Sequence, residues 1–276
     1  MADTPFFSTG SLPQVSDSRK QRIRQRFSRA AGTYDAHAEV QKDLAARLFL
    51  ELPEGKESEG IGRILEIGCG TGRFTALLAG RYPEGRITAL DFAEGMVRLA
   101  RKRLADKGKV SVLCEDGERF LAACPTTFDL ICANSTLQWF DDLGVALARI
   151  GRLLSDQGRF VGVLFGPRTF RELAQGLSEV FGQEVRLPPH GFPAGEKLGG
   201  MLGASFPRFV VQEESRVKKY ASLLDLLDHI RKTGTGGGQL PGTLTRGRLH
   251  QLDAWFQATH GGYPATYQAF VVRGEK

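Results

Sequence analysis

The run Ile64-Leu65-Glu66-Ile67-Gly68-Cys69-Gly70-Thr71-Gly72 carries glycine at every second position of its second half, behind a carboxylate at Glu66. Glycines at 68, 70 and 72 let the backbone turn sharply and let a ligand approach it with no Cβ in the way. The spacing is GxGxG, where dinucleotide enzymes use GxGxxG. A pyrophosphate prefers a bare helix N-terminus, whereas a zwitterionic amino acid bearing a sulfonium favours a nearby carboxylate. The loop together with Glu66 therefore predicts S-adenosylmethionine as the cofactor and S-adenosylhomocysteine as its product. Nineteen positions after Gly72, Asp91 ends an apolar stretch. An acid there can accept hydrogen bonds from both ribose hydroxyls. Taken alone it would read as a cap or turn aspartate; joined to the glycine loop it reads as the ribose contact.

Four further positions belong to the same cradle. Met96 is expected to pack on the adenine face or in the core. Asp116 resembles the residue that holds the adenine amino group in S-adenosylmethionine enzymes, and it reads equally as the N-cap of a short helix over 118–122. Asn134 opens the segment Asn134-Ser135-Thr136-Leu137-Gln138-Trp139-Phe140 and is the expected polar contact to the methionine part of the cofactor or to the substrate. Gln138 and Trp139 either line the reaction centre or pack the loop on its sheet.

The elements that must position these residues follow from hydrophobic patterning. RILEIG, RITALD, VSVLC, FDLICAN and RFVGVLF read as buried strands, and the stretches between them have helical periodicity. Such alternation calls for a parallel sheet covered on both faces. Ligands bind at the carboxyl ends of its strands, where the glycine loop, Asp91, Asp116 and Asn134 all fall. After residue 181 the alternation breaks. Residues 182–205, rich in glycine and proline, read as an irregular connection, followed by two late strands at PRFVVQEES and YQAFVVRG. The expected fold is α/β: a Rossmann-like, seven-stranded, mostly parallel sheet with an antiparallel edge strand and a helical cap. The expected organisation is a flexible tail over 1–18, a basic helical segment over 19–52, and the cofactor-binding domain over 61–276 with cap elements at 166–206 and 220–259.

Net charge is +6 with a pI near 9.2, which favours an acidic partner without naming one. Arg19, Lys20, Arg22, Arg24, Arg26 and Arg29 concentrate that charge ahead of the first apolar helix. No stretch approaches the roughly 18 apolar residues of a membrane-spanning helix, and the opening lacks a secretory pattern. Cys69, Cys114, Cys124 and Cys132 show no CxxC pair, so reduced thiols, no metal and a cytoplasmic location are expected. A base-flipping nucleic-acid methyltransferase would need an Asp/Asn-Pro-Pro-Tyr tetrad where Asn134-Ser135-Thr136-Leu137 stands, so no nucleic-acid partner is expected.

Three segments resemble the malonyl-[acyl-carrier protein] O-methyltransferases of biotin synthesis. They are Arg26-Phe27-Ser28-Arg29-Ala30-Ala31-Gly32-Thr33-Tyr34-Asp35-Ala36-His37-Ala38 with Gln41, the loop Ser135 to Phe140, and Gly262-Tyr263-Pro264-Ala265-Thr266-Tyr267-Gln268-Ala269-Phe270. Residues 233–238 also resemble that family's cap loop. The likeness implies methyl transfer to the free carboxylate of a malonyl thioester on acyl carrier protein. A carboxylate is already ionised at neutral pH, so the chemistry needs positioning and exclusion of water more than a base. Arg149 and Arg152 are candidates to hold the carboxylate through one oxygen, or are solvated helix arginines. Tyr34 and His37, three apart, share a face if helical. They read as a lid with Tyr34 over the cofactor and His37 near the transfer site, or as helix packing. Two alternatives stay open: a small-acid carboxyl methyltransferase of the trans-aconitate kind, and a non-catalytic cofactor-binding subunit.

Overall fold

A computed structural model describes residues 17–235 and 240–276. The tail expected over 1–18 lies outside the described residues except for Asp17 and Ser18, which open the first helix, and the cap loop lies outside from residue 236. The helical segment expected over 19–52 forms two helices, α1 (Asp17–His37) and α2 (Glu39–Phe49). They are broken at Ala38, which is 1% exposed with φ −81° and ψ 48°. The break turns the chain from α1 onto the sheet face that Val40, Leu44 and Leu48 of α2 cover.

The central strands are β1 (Arg63–Ile67), β2 (Arg86–Asp91), β3 (Val110–Cys114), β4 (Phe128–Asn134) and β5 (Leu154–Phe165). Between them run α3 (Arg73–Arg81), α4 (Glu94–Arg103), α5 (Gly117–Ala123) and α6 (Leu143–Leu153). The chain continues through α7 (Arg171–Phe181), α8 (Gly195–Gly203), β6 (Arg208–Tyr220), α9 (Leu223–Lys232), α10 (Arg246–His260) and β7 (Tyr263–Glu275). The sheet order is β3-β2-β1-β4-β5-β7-β6. Strands β1 to β5 pair in parallel, and β7 runs antiparallel to both β5 and β6, giving the expected antiparallel finish at one edge.

Ile64, Leu65 and Ile67 of β1 and Leu130 to Ala133 of β4 are fully buried, as central parallel strands covered on both faces must be. One face packs on α2, α3, α4, α7, α9 and α10, and the other on α5, α6 and α8. The connection 182–205 is less irregular than expected, because α8 forms despite its glycines. Leu198 and Leu202, one turn apart and fully buried, pack with Phe206 in the second face. That burial overrides the roughly 1 kcal/mol each interior glycine costs a helix. The order of crossovers reverses between β1 and β4, so their carboxyl ends part and leave a crevice.

Candidate cofactor cleft and transfer site

The crevice forms a partly open cleft. The loop after β1 contributes Gly68 and Gly70. The end of β2 contributes Asp91 and Phe92, with Met96 from α4. The end of β3 contributes Glu115, Asp116 and Gly117, and the segment after β4 contributes Asn134, Ser135, Thr136, Trp139 and Phe140. Helix α1 closes the cleft with Lys20, Phe27 and Tyr34, spaced by seven and so on one helix face.

Gly68 and Gly70 have φ of +77° and +54°. A Cβ on Gly68 would stand 1.9 Å from Thr136 Oγ1, so only glycine lets the two loops meet. At Gly70 a Cβ would meet nothing within 4 Å. The Gly70 N–H donates to Asp91 Oδ2 at 3.0 Å and the Ala93 N–H to Asp91 Oδ1 at 2.8 Å, so Asp91 fixes the glycine loop while lining the cleft. Burial pushes its carboxyl up to about 6 against the pull of those two bonds. Asp116 is the N-cap expected of it and also lines the cleft. Its Oδ1 caps α5 by accepting from Glu118 and Arg119 N–H at 2.8 and 3.1 Å, while the residue lines the cleft. Its Oδ2 accepts from Lys20 Nζ at 2.8 Å. Met96 likewise lines the cleft and is buried with Ala31 and Ala93.

Tyr34 reaches the cleft, and burial, then the charges of Asp91 and Asp35, raise its phenol well above the usual tyrosine range. It stays protonated and can donate. The Asn134 amide donates to the Gln41 carbonyl at 3.4 Å, and its Oδ1 accepts from the Ser135 hydroxyl at 3.2 Å. Ser135 sits in the left-handed region at φ 55°.

Six expected site residues do not line the cleft. Glu66 lies on β1 before the loop, 1% exposed, with Oε2 lacking a hydrogen-bond partner among the described residues. Gly72 faces Ala100 and Leu104, where a Cβ would come within 3.1 Å of α4, so its role is helix packing. His37 ends α1 near His229 and is not part of the cleft lining. Gln138 turns inward and donates to the Ser135 carbonyl at 2.7 Å, the loop-packing alternative. Arg149 donates to the Glu118 carbonyl at 3.3 Å, and Arg152 is exposed. The buried stripe of α6, at Leu143, Ala146, Leu147 and Ile150, already places both arginines off the sheet-facing side. The sequence reading missed Lys20 and Phe27 as cleft residues, although their spacing from Tyr34 was there to be read.

An open glycine cradle, an aspartate at the β2 end and an orphaned buried carboxylate beneath the loop together fit S-adenosylmethionine. The protein is an S-adenosylmethionine-dependent methyltransferase. Residues 64–158 match the methyltransferase domain family. The fold is shared with the YcgJ protein of Bacillus subtilis, at a TM-score of 0.56 and 18% identity over 85% of this chain and 98% of that one. It is shared also with a methyltransferase of Thermotoga maritima, at a TM-score of 0.52 and 19% identity over 92% and 99%. The sequence likeness reaches further. The chain is 40% identical over 263 residues to the malonyl-[acyl-carrier protein] O-methyltransferase of Bacillus anthracis, covering 92% of this chain and 96% of the relative. It is 32% identical over 269 residues to that of Bacillus cytotoxicus, covering 93% and 92%. The chain belongs to the malonyl-[acyl-carrier protein] O-methyltransferase family.

Proposed function

We propose that this enzyme methylates the free carboxylate of a malonyl group carried as a thioester on acyl carrier protein, an early step towards the pimeloyl part of biotin, and that it does so in the cytoplasm. The sulfonium methyl is the electrophile: a carboxylate oxygen forms the new C–O bond as the C–S bond breaks, its electron pair returning to sulfur, and no proton moves. The observation that carries the reading is the character of the cleft around Gly68, Tyr34, Asn134 and Ser135, which offers neutral donors and backbone but no histidine to act as base. A nucleophile that needs no deprotonation, such as a carboxylate, suits such a site.

In this reading Asp91 accepts from the ribose hydroxyls and Asp116 from the adenine amino group, with Met96 and Phe92 against the base. Gly70 lets the backbone meet the cofactor, and the ionised form of Glu66 favours its ammonium end. Tyr34 and the rest of α1 act as a lid that excludes water. Four unpaired cysteines support the cytoplasmic location, and no described helix is long and apolar enough to cross a membrane.

Incubation with labelled S-adenosylmethionine and malonyl, succinyl and acetyl thioesters tests the reading. Label should enter the malonyl thioester as an ester, enter the succinyl analogue more slowly, and leave the acetyl thioester unlabelled. Equal labelling of the acetyl compound would contradict carboxylate methylation.

A further inference from the structure

Helix α1 brings one cation to the cofactor cleft. It is Lys20, the only positively charged side chain among the described residues that line it. Its ammonium faces three carboxylates: Glu118, Asp116 Oδ2 at 2.8 Å and Asp141 Oδ2 at 3.6 Å. An ammonium has three protons to donate. Two go to Asp116 and Glu118. Asp141 lies beyond hydrogen-bond range, so the third proton has no acceptor among the described residues.

The lone pairs of Asp116 can be counted in the same way. Its Oδ1 accepts from the Glu118 and Arg119 N–H groups as the cap of α5, which occupies both lone pairs of that oxygen. Its Oδ2 accepts from Lys20 and keeps one lone pair. An adenine amino group held by Asp116 must therefore be accepted at Oδ2, beside the ammonium. With each donor about 2.9 Å from the shared oxygen, along separate lone pairs, roughly 5 Å separates the ammonium from the amino nitrogen. The ring nitrogens on either side of an adenine amino group are hydrogen-bond acceptors, and the spare ammonium proton stands next to them.

We propose that Lys20 is a second reader of the cofactor base, donating its third proton to a ring nitrogen beside the adenine amino group while it stays bonded to Asp116 and Glu118. This rests on the reading of Asp116 as the contact of that amino group, and does not depend on which acid is methylated. Lys20 and Tyr34 both line the cleft from one face of α1, about 21 Å apart along the helix axis. A base bound at Lys20 thus also holds the helix that carries Tyr34, so recognition of adenine and closure of α1 over the cofactor become one event.

Calorimetry on the full-length protein tests this with S-adenosylhomocysteine, its 1-deaza and 7-deaza analogues, each lacking one of the two ring nitrogens, and the analogue lacking the amino group. Wild type should bind at least one deaza analogue about three- to tenfold more weakly than the parent, the loss of one hydrogen bond. Lys20→Met keeps the alkyl stem and removes the ammonium. In that variant the parent should bind more weakly and the deaza penalty should shrink to within twofold. A lysine that only fastens α1 would weaken parent and analogue alike and leave the penalty in place. Hydrogen exchange on the wild-type protein needs no variant: at saturation the parent should slow exchange over residues 17–27 more than the penalised analogue does. The inference alone is overturned if both deaza analogues bind wild type like the parent, if every penalty persists in folded Lys20→Met, or if parent and analogue protect α1 equally. Undiminished binding of the analogue without the amino group overturns the Asp116 assignment with it, while carboxylate methylation, tested by thioester labelling, is untouched.

Discussion

Glu66 and Asp91 are acids placed where ionisation is opposed. Burial, and secondarily the charge of Asp91, pushes Glu66 up to about 7, and burial pushes Asp91 to about 6. In an unfolded chain both titrate near 4. Between about pH 4 and pH 7 the native protein therefore holds more protons than the unfolded one, and stability rises as pH falls through that window. Above it, two ionised carboxylates destabilise the cofactor-free enzyme, and a ligand that brings positive charge relieves them. Glu66→Gln removes one charge at nearly constant volume. The variant should be more stable than wild type at about pH 8 by on the order of 1 to 3 kcal/mol, lose that advantage near pH 5, and bind cofactor more weakly. Thermal melts at both pH values with calorimetric titration decide it. A variant no more stable at the higher pH would mean that Glu66 is not strained in the free enzyme.

At the scale of elements, α1 is the part that turns a methyltransferase sheet into an enclosed site. Ser28 packs so closely on the start of α4 that a Cβ on Gly95 would lie 2.4 Å from its carbonyl oxygen. Asp35 accepts from Thr71 Oγ1 at 2.7 Å and pairs with Arg103, and Thr33 donates to the Lys232 carbonyl at 3.1 Å. At the other end Lys20 bridges Asp116 and Glu118. Burial pulls its ammonium down, but those two carboxylates outweigh it and the net shift is upward. The pair is roughly one-fifth exposed, so its contribution to stability is small, yet it ties α1 to the cleft wall. Lys20→Met should speed cofactor release about two- to fivefold with little change in melting temperature, the size expected of a partly exposed ion pair. Stopped-flow release of S-adenosylhomocysteine measures it, and an unchanged release rate would show that the bridge does not hold the lid. Of these elements the strands were the most legible. β2, β3 and β4 coincide with the segments read from the sequence; for β2 and β4 this is because a strand covered on both faces is an apolar run bounded by polar residues. That Gly68, Gly70, Asp91, Asp116 and Asn134 line one cleft was legible because strand ends fix where loops open. What was not legible depends on docking. The sequence cannot say which face of α1 meets the sheet, so Lys20 and Phe27 were missed and His37 was misplaced. Nor can glycine content alone reveal that Leu198 and Leu202 find a buried partner.

At the scale of the whole molecule, the basic cluster at 19–29 divides in two. Arg19 pairs with Asp141, Lys20 is engaged as above, and Arg26 is largely buried. Burial, then the neighbouring Arg22 and Arg19, lowers Arg26 to about 10. Arg22, Arg24 and Arg29 remain on the outside of the lid. Half of the cluster is thus engaged with the rest of the protein, and half presents positive charge on the exposed side of α1, to which an acidic carrier protein would be drawn. Such charge acts chiefly on encounter and is screened over about 8 Å at physiological salt. Family membership along nearly the whole chain supports that acceptor. The most direct measurement is the intact mass of malonyl-acyl carrier protein after incubation with this enzyme and S-adenosylmethionine, with acetyl-acyl carrier protein alongside. The account predicts that the malonyl form gains the mass of one methyl group while the acetyl form keeps its mass. A malonyl-carrier protein whose mass does not change, or an acetyl form that gains the same methyl, would contradict it.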